Sequence, residues 1–203
     1  MEIRLLERSQ FGEIYEEQMK GDFAADELKP LAMIYEMYDR GIYAGYGLYE
    51  GAELLGYALF VVGDYPCALL DYLAICRGCR NVGLGTTFLT GLREVLAAEG
   101  KAPAGIVLES ERPEAGKDEA DRELRRHRLG FYERNGFVRT ELKCVLFGVE
   151  FTIMYRPAVC TLDEHGVYLE LKRLYQAMSI WGHTDKIWLE EAETAAKEAQ
   201  KAK

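Results

Sequence analysis

The sequence has no run of about 18 apolar residues, so no membrane-spanning helix is expected. Its first residues, MEIRLLERSQ, lack the apolar stretch of a secretory signal, and a cytoplasmic protein without a membrane partner is the expectation. Basic runs are missing as well. Lys plus Arg is 25 against 34 Asp plus Glu, a net charge of -9, which argues against a nucleic-acid partner. The acidic balance suits a cationic small-molecule acceptor, though many proteins are as acidic. No repeat or low-complexity linker is visible before the tail. The five cysteines are an odd number, as expected of reduced thiols. Cys76 and Cys79 form a C-x-x-C, but no second Cys or Cys/His pair accompanies them, so no metal site is expected. Inert thiols are the reading and a redox pair the alternative. His127, His165 and His183 are scattered and are read as surface residues.

What is present is a chain of 203 residues, 49% hydrophobic and 29% charged, enough for one globular domain with a real core. MEIRLLE reads as a first strand. SQFGEIYEEQMKGDF and ADELKPLAMIYEMYDRG have helical spacing, with Pro30 in the first turn of the second and Gly41 as its stop. IYAGYGLYEGAELLGYALFVV predicts two strands around Glu50-Gly51. CALLDYLAI is apolar apart from Asp71 and predicts a central strand. A helix follows Gly85. AGIVLESE is a short strand, ADRELRRHRLGFYERNG a helix ending at Gly136, and FVRTELKCVLFGVEFTIMYRP two strands around Phe147-Gly148. This order predicts an α/β (α+β) fold with a mixed, mostly antiparallel sheet and helices on both faces. Residues 1–158 are read as the domain and 159–203 as a C-terminal helical extension carrying Trp181 and Trp188.

The stretch CRNVGLGTTFLTGLREVL places Gly83 and Gly85 between a strand and a helix. A helix start offers unpartnered N–H groups and a positive dipole end to an anion, and glycine lets a ligand approach. A dinucleotide fingerprint would need a third glycine where Phe88 stands, and no Gly-Lys pair with Ser or Thr after it occurs. Arg80-x-x-Gly83-x-Gly85 therefore reads as an anion cradle or as a tight turn alone.

About 45 residues further on, GFYERNGF spans Gly130 to Phe137 at a helix end. The two motifs together resemble the GCN5-related N-acetyltransferase (GNAT) superfamily over roughly residues 1–156. The resemblance implies that Asn81, Val82, Gly83, Leu84, Gly85 and Thr86 hold the pyrophosphate of acetyl-coenzyme A, with Arg80 adding charge or capping the strand end. It implies that Leu73, Ala74 and Ile75 pair with the pantetheine arm, and that Tyr132 is the general acid. Many members carry an Asn and an Ala where this sequence has Arg125 and Arg128, so the Asn contact to the pantetheine arm does not carry over. Arg128 or Arg125 could instead touch a coenzyme phosphate, with solvated helix arginines as the alternative. A carboxylate in an apolar strand is unusual. Glu109 and Asp71 are accordingly the candidate bases or acceptor contacts, with half-exposed polar residues as the bland reading.

The expected activity is transfer of acetyl from acetyl-coenzyme A to a primary amine in a direct ternary complex. A non-catalytic acyl-coenzyme A sensor and a transferase of another acyl group are the alternatives. Tyr35, Tyr38, Tyr43, Tyr46 and Tyr49 crowd what would be the acceptor mouth. The tail packs on its own domain or on a second copy, so a homodimer is allowed for.

Overall fold

The structure, a computed structural model, describes residues 1–25, 27–178 and 186–191. The chain divides into two units, Met1–Asp64 with Leu70–Lys101, and Tyr65–Leu69 with Ala102–Lys203.

In the first unit, β1 (Glu2–Leu5) leads into α1 (Arg8–Ile14), which a reciprocal Glu7–Gln10 capping box starts. The helix runs on through a π-helical turn at Tyr15–Met19 into α2 (Lys20–Asp22). Phe11, Ile14 and Met19 supply its buried side. α3 (Leu31–Asp39) begins later than the stretch from Ala25 that the sequence suggests. Pro30 is extended (ψ 137°) and stands outside the helix, where its carbonyl accepts from Met33 and Ile34.

β2 (Tyr43–Glu50) and β3 (Glu53–Val61) form the expected antiparallel hairpin, and β1 pairs with β2. The register slips between Leu48 and Tyr49, leaving Leu55 as an extra residue in β3. The Leu55 carbonyl accepts from Cys76 N–H at 2.9 Å, just beyond β4 (Cys67–Ile75). Beside that bulge, a Cβ on Gly56 would lie 2.9 Å from the Ala74 carbonyl oxygen, so only glycine permits this approach. α4 (Leu84–Ala98) buries Phe88, Leu89, Leu92 and Leu96, a helical stripe. Phe88, which stands where a dinucleotide motif would have glycine, is fully buried.

The second unit contains β5 (Gly105–Glu111), α5 (Glu119–Arg134), β6 (Val138–Leu146), β7 (Val149–Pro157), α6 (Glu164–Met178) and β8 (Ile187–Glu190). The strand order is β5-β7-β6-β8, and each of these pairs is antiparallel. Phe147 (φ 51°) and Gly148 (φ 85°) make the tight turn between β6 and β7. β6 bulges: Arg139 pairs with Met154 and Lys143 with Thr152, so Thr140, Glu141 and Leu142 stand against Ile153 alone. The Glu141 N–H freed there donates to Glu164 Oε1 at 2.7 Å, at the start of α6.

The segment after residue 159 contains the expected helix, α6, preceded by irregular chain up to Asp163, but its described residues are not helical throughout. Ile187–Glu190 is a strand on the edge of β6. Ile187 and Leu189 are partly covered while Trp188 and Glu190 are exposed, a period of two that fits strand pairing. Trp181, His183 and the alanine-rich 192–203 segment lie outside the described residues.

Leu171 on α6 is fully buried, whereas Leu169 is 39% exposed. Leu171→Ala should lower unfolding free energy by about 2–5 kcal/mol in urea titrations, and Leu169→Ala by less than about 0.5 kcal/mol. Equal effects would mean that α6 is not packed as described.

Candidate functional site

In the first unit, the candidate coenzyme residues from Leu73 to Thr86 lie where β4 ends and α4 begins; Arg128 lies on α5 in the second unit. The strand is buried from Cys67 to Leu70, but Leu73, Ala74 and Ile75 emerge half-exposed at its end. Asn81 (φ 66°) and Gly83 (φ 85°) both have left-handed backbone, and Gly83 is the helix N-cap. No side chain caps this end and no acidic residue lies in the first turn. The first N–H groups to find acceptors are those of Thr86 and Thr87, both on the Gly83 carbonyl. Those of Leu84 and Gly85 have no partner among the described residues, and Val82 is 71% exposed beside them. The result is an open helix N-terminus with a positive dipole end.

Arg80 takes the strand-capping placement. Its Nε donates to the Ile75 carbonyl at 2.8 Å and its Nη2 to Asp22 Oδ1 at 2.6 Å. The Asp22 side chain is only 3% exposed. It also accepts from Tyr57 Oη at 3.0 Å and lies 3.5 Å from Arg77 Nε. Asp22 thus ties the end of α2 to the turn between β4 and α4. Sequence reading missed it, since one Asp in MKGDF carries no signal without the fold.

Asp71 sits two residues before Leu73 with both carboxylate oxygens occupied. Oδ1 accepts from Lys29 Nζ at 2.6 Å and Oδ2 from the Tyr43 hydroxyl. Burial first, and the Asp71 charge second, push the Tyr43 phenol well up from its usual value. Tyr72 Oη accepts from the Lys29 backbone N–H and donates to the Glu27 carbonyl, holding the 27–29 loop. Of the other tyrosines, Tyr46 donates to Glu99 at 2.7 Å, Tyr38 packs edge-on against Phe11, and Tyr35 lies under the Arg8 guanidinium.

In the second unit, Tyr132 stands on the last turn of α5, half-buried between Phe131 and Phe137. Its carbonyl accepts from Asn135 N–H and Phe137 N–H, and Gly136 takes φ 83° to close the helix. The hydroxyl makes no hydrogen bond to a described residue. Burial pushes its phenol up to about 12, with the Arg128 charge pulling the other way. Arg128 is 40% exposed and 3.7 Å from Glu111. Arg125 is bound to Glu111, Asp121 and the Arg112 carbonyl, so it braces the helix against β5.

Glu109 on β5 accepts a hydrogen bond from the Tyr175 hydroxyl of α6. Cys144 Sγ lies 3.4 Å from the same hydroxyl. Burial, followed by the Glu109 charge, raises the Tyr175 phenol well above its usual value. Tyr175 was also missed, because its place in an amphipathic helix reads as core.

All five cysteines are free thiols. Burial raises those of Cys67 and Cys144 to about 12, and that of Cys76 to a lesser degree, as inert thiols require. Among the described residues no group of three or more His, Cys, Asp or Glu could hold a metal ion, and no helix is long and apolar enough to cross a membrane.

No family model and no curated protein matches the sequence. Solved structures do. A protein assigned to the GNAT acetyltransferase family, from Bacteroides thetaiotaomicron, is 22% identical with a TM-score of 0.69, over 89% of this chain and 97% of that one. A Bacillus subtilis acetyltransferase in complex with coenzyme A is 16% identical at TM-score 0.55, over 76% of this chain and 97% of its own. The Escherichia coli ribosomal-protein-S18-alanine N-acetyltransferase is 18% identical at TM-score 0.54, over 80% and 96%. With a strand, an open glycine turn and a helix in sequence, and β7 lying between β5 and β6, the chain has the fold of the GCN5-related N-acetyltransferases.

Proposed function

We propose that this protein is a GNAT enzyme that transfers an acetyl group from acetyl-coenzyme A to a primary amine by direct transfer in a ternary complex. The observation that carries this reading is the uncapped start of α4, where Gly83 is left-handed and the Leu84 and Gly85 N–H groups lack partners. The coenzyme A held by a protein of the same fold supports it.

In this reading the α4 N-terminus binds the diphosphate and the emergent end of β4 takes the pantetheine arm. Glu109 accepts one proton from the ammonium group, directly or through water, leaving a neutral amine. The amine lone pair attacks the thioester carbonyl, and the C–S bond breaks as the tetrahedral intermediate collapses. Tyr132 gives its proton to the departing thiolate, and the second proton, shed by the amine nitrogen as the amide forms, returns to the Tyr132 phenolate through water while Glu109 releases its own to solvent. Asp71 already accepts from Lys29 and Tyr43, so it is assigned to holding the 27–29 loop and not to proton transfer. With Tyr132 raised to about 12, its phenol stays protonated at neutral pH, as an acid must.

The founding test is thiol release when the protein meets acetyl-coenzyme A and a panel of primary amines. Coenzyme binding with no release on any amine would turn the reading to an acyl-coenzyme A sensor. Tyr132→Phe should lower turnover by about tenfold or more while coenzyme affinity changes by less than about twofold. Unchanged turnover removes Tyr132 from the role.

Thr86→Asp separates an anion cradle from a bare turn. A carboxylate in the first helical turn stabilises the free helix by about 0.3–1 kcal/mol but repels a diphosphate. Calorimetry should show coenzyme A binding weakened by about tenfold with Tm unchanged or higher. Equal affinity would exclude the helix start as the phosphate site. A third outcome concerns pH: turnover should not fall between about pH 8 and 10, because a phenol near 12 keeps its proton there. A decline through that window would exclude Tyr132 as the acid.

A further inference from the structure

We infer that α6, which lies beyond the domain expected from sequence, supplies Tyr175 as a positioning residue for Glu109. The inference rests on the reading of Glu109 as the base. The side chain of Tyr175 is buried on a helix whose other buried residues are the apolar Val167, Leu171, Leu174 and Met178 and one carboxylate, Glu170, which is paired with Arg173. Its hydroxyl meets Glu109 on one side and Cys144 on another. A phenol buried beside a carboxylate and raised well above its usual value is a donor that does not ionise under working conditions. It therefore presents a fixed O–H to the carboxylate.

Two consequences follow from that geometry. The carboxylate loses rotational freedom, so its remaining acceptor directions are aimed. A hydrogen bond from a neutral donor stabilises the charged state of a carboxylate, so removal of this donor is the change to read. Among the described residues, the titratable groups that bear on Glu109 include Tyr175 on α6 and Cys144 on β6. Glu111, two residues along β5, is tied to Arg125 and lies near Arg128 on α5. Cys144 is raised to about 12 and remains a neutral thiol. The neutral O–H of Tyr175 is thus a donor that α6 supplies to Glu109.

The test is a carboxyl-carbon NMR titration of Glu109 in the full chain and in Tyr175→Phe, assigned with Glu109→Gln. Loss of the donor should move the Glu109 midpoint upward by about half a pH unit or more. An unchanged or lower midpoint overturns the inference. Cys144→Ala serves as the second variant. It removes the other neighbour of the Tyr175 hydroxyl and should leave the midpoint unmoved or lower it, and an upward move equal to that of Tyr175→Phe would also overturn the inference. Thiol release by Glu109→Gln, with acetyl-coenzyme A and spermidine or an alanine-ended peptide as probes, tests the base reading separately. A shifted midpoint in Tyr175→Phe with undiminished release in Glu109→Gln would retain the Tyr175–Glu109 link and remove the base.

Discussion

A fifteen-residue helix that begins without a side-chain cap is a constraint on everything before it. Each residue near the start of α4 is consistent with keeping that end open. Gly83 turns the chain in a left-handed conformation that leaves no Cβ over the first N–H groups. The first turn contains no acidic residue to fold back on them. Rigidity has to come from elsewhere, and Asp22 supplies it by gathering Arg77, Arg80 and Tyr57 around one carboxylate. Phe88, one turn into the helix, anchors it in the core.

The second unit solves a different problem. β5 carries two carboxylates into a largely apolar strand, and each is given a partner from a helix. Glu111 is met by Arg125, and Glu109 by Tyr175. Tyr132 is treated in the opposite way. Its backbone is fixed by the helix-ending hydrogen bonds and its ring by two phenylalanines, while its hydroxyl is left without a described partner. Asp71, by contrast, has each carboxylate oxygen engaged, one by Lys29 and one by Tyr43.

The local signals in the chain were legible. Period-two apolar runs around Glu50-Gly51 and Phe147-Gly148 became hairpins, and the stripe behind Gly85 became α4. The motif glycines pointed to the turn that the structure opens. What stayed hidden depends on contacts distant in the chain. Asp22 meets Arg80 across 58 positions and Tyr175 meets Glu109 across 66, and neither pairing leaves a periodic trace. The π-helical turn at Tyr15–Met19 shares its apolar spacing with an ordinary helix. β8 is four residues long in a charged segment, and only the unpaired edge of β6 makes it a strand. The Arg80 side chain bonds to Asp22, a partner that nothing in the sequence pointed to.

The bulge in β6 has a consequence for how the chain could have been enlarged. Three residues opposite one leave the inward–outward order of the strand unchanged, so Leu142 and Cys144 still point into the core. The irregularity sacrifices ladder bonds but frees the Glu141 N–H, and Glu164 takes it. A regular strand would offer an added segment nothing to grip. Here the defect is a docking point, from which α6 can cross the unit and bring a tyrosine to a strand two places away in the sheet. Architecture grows at its flaws: the position where pairing fails is the position where new chain can be fastened.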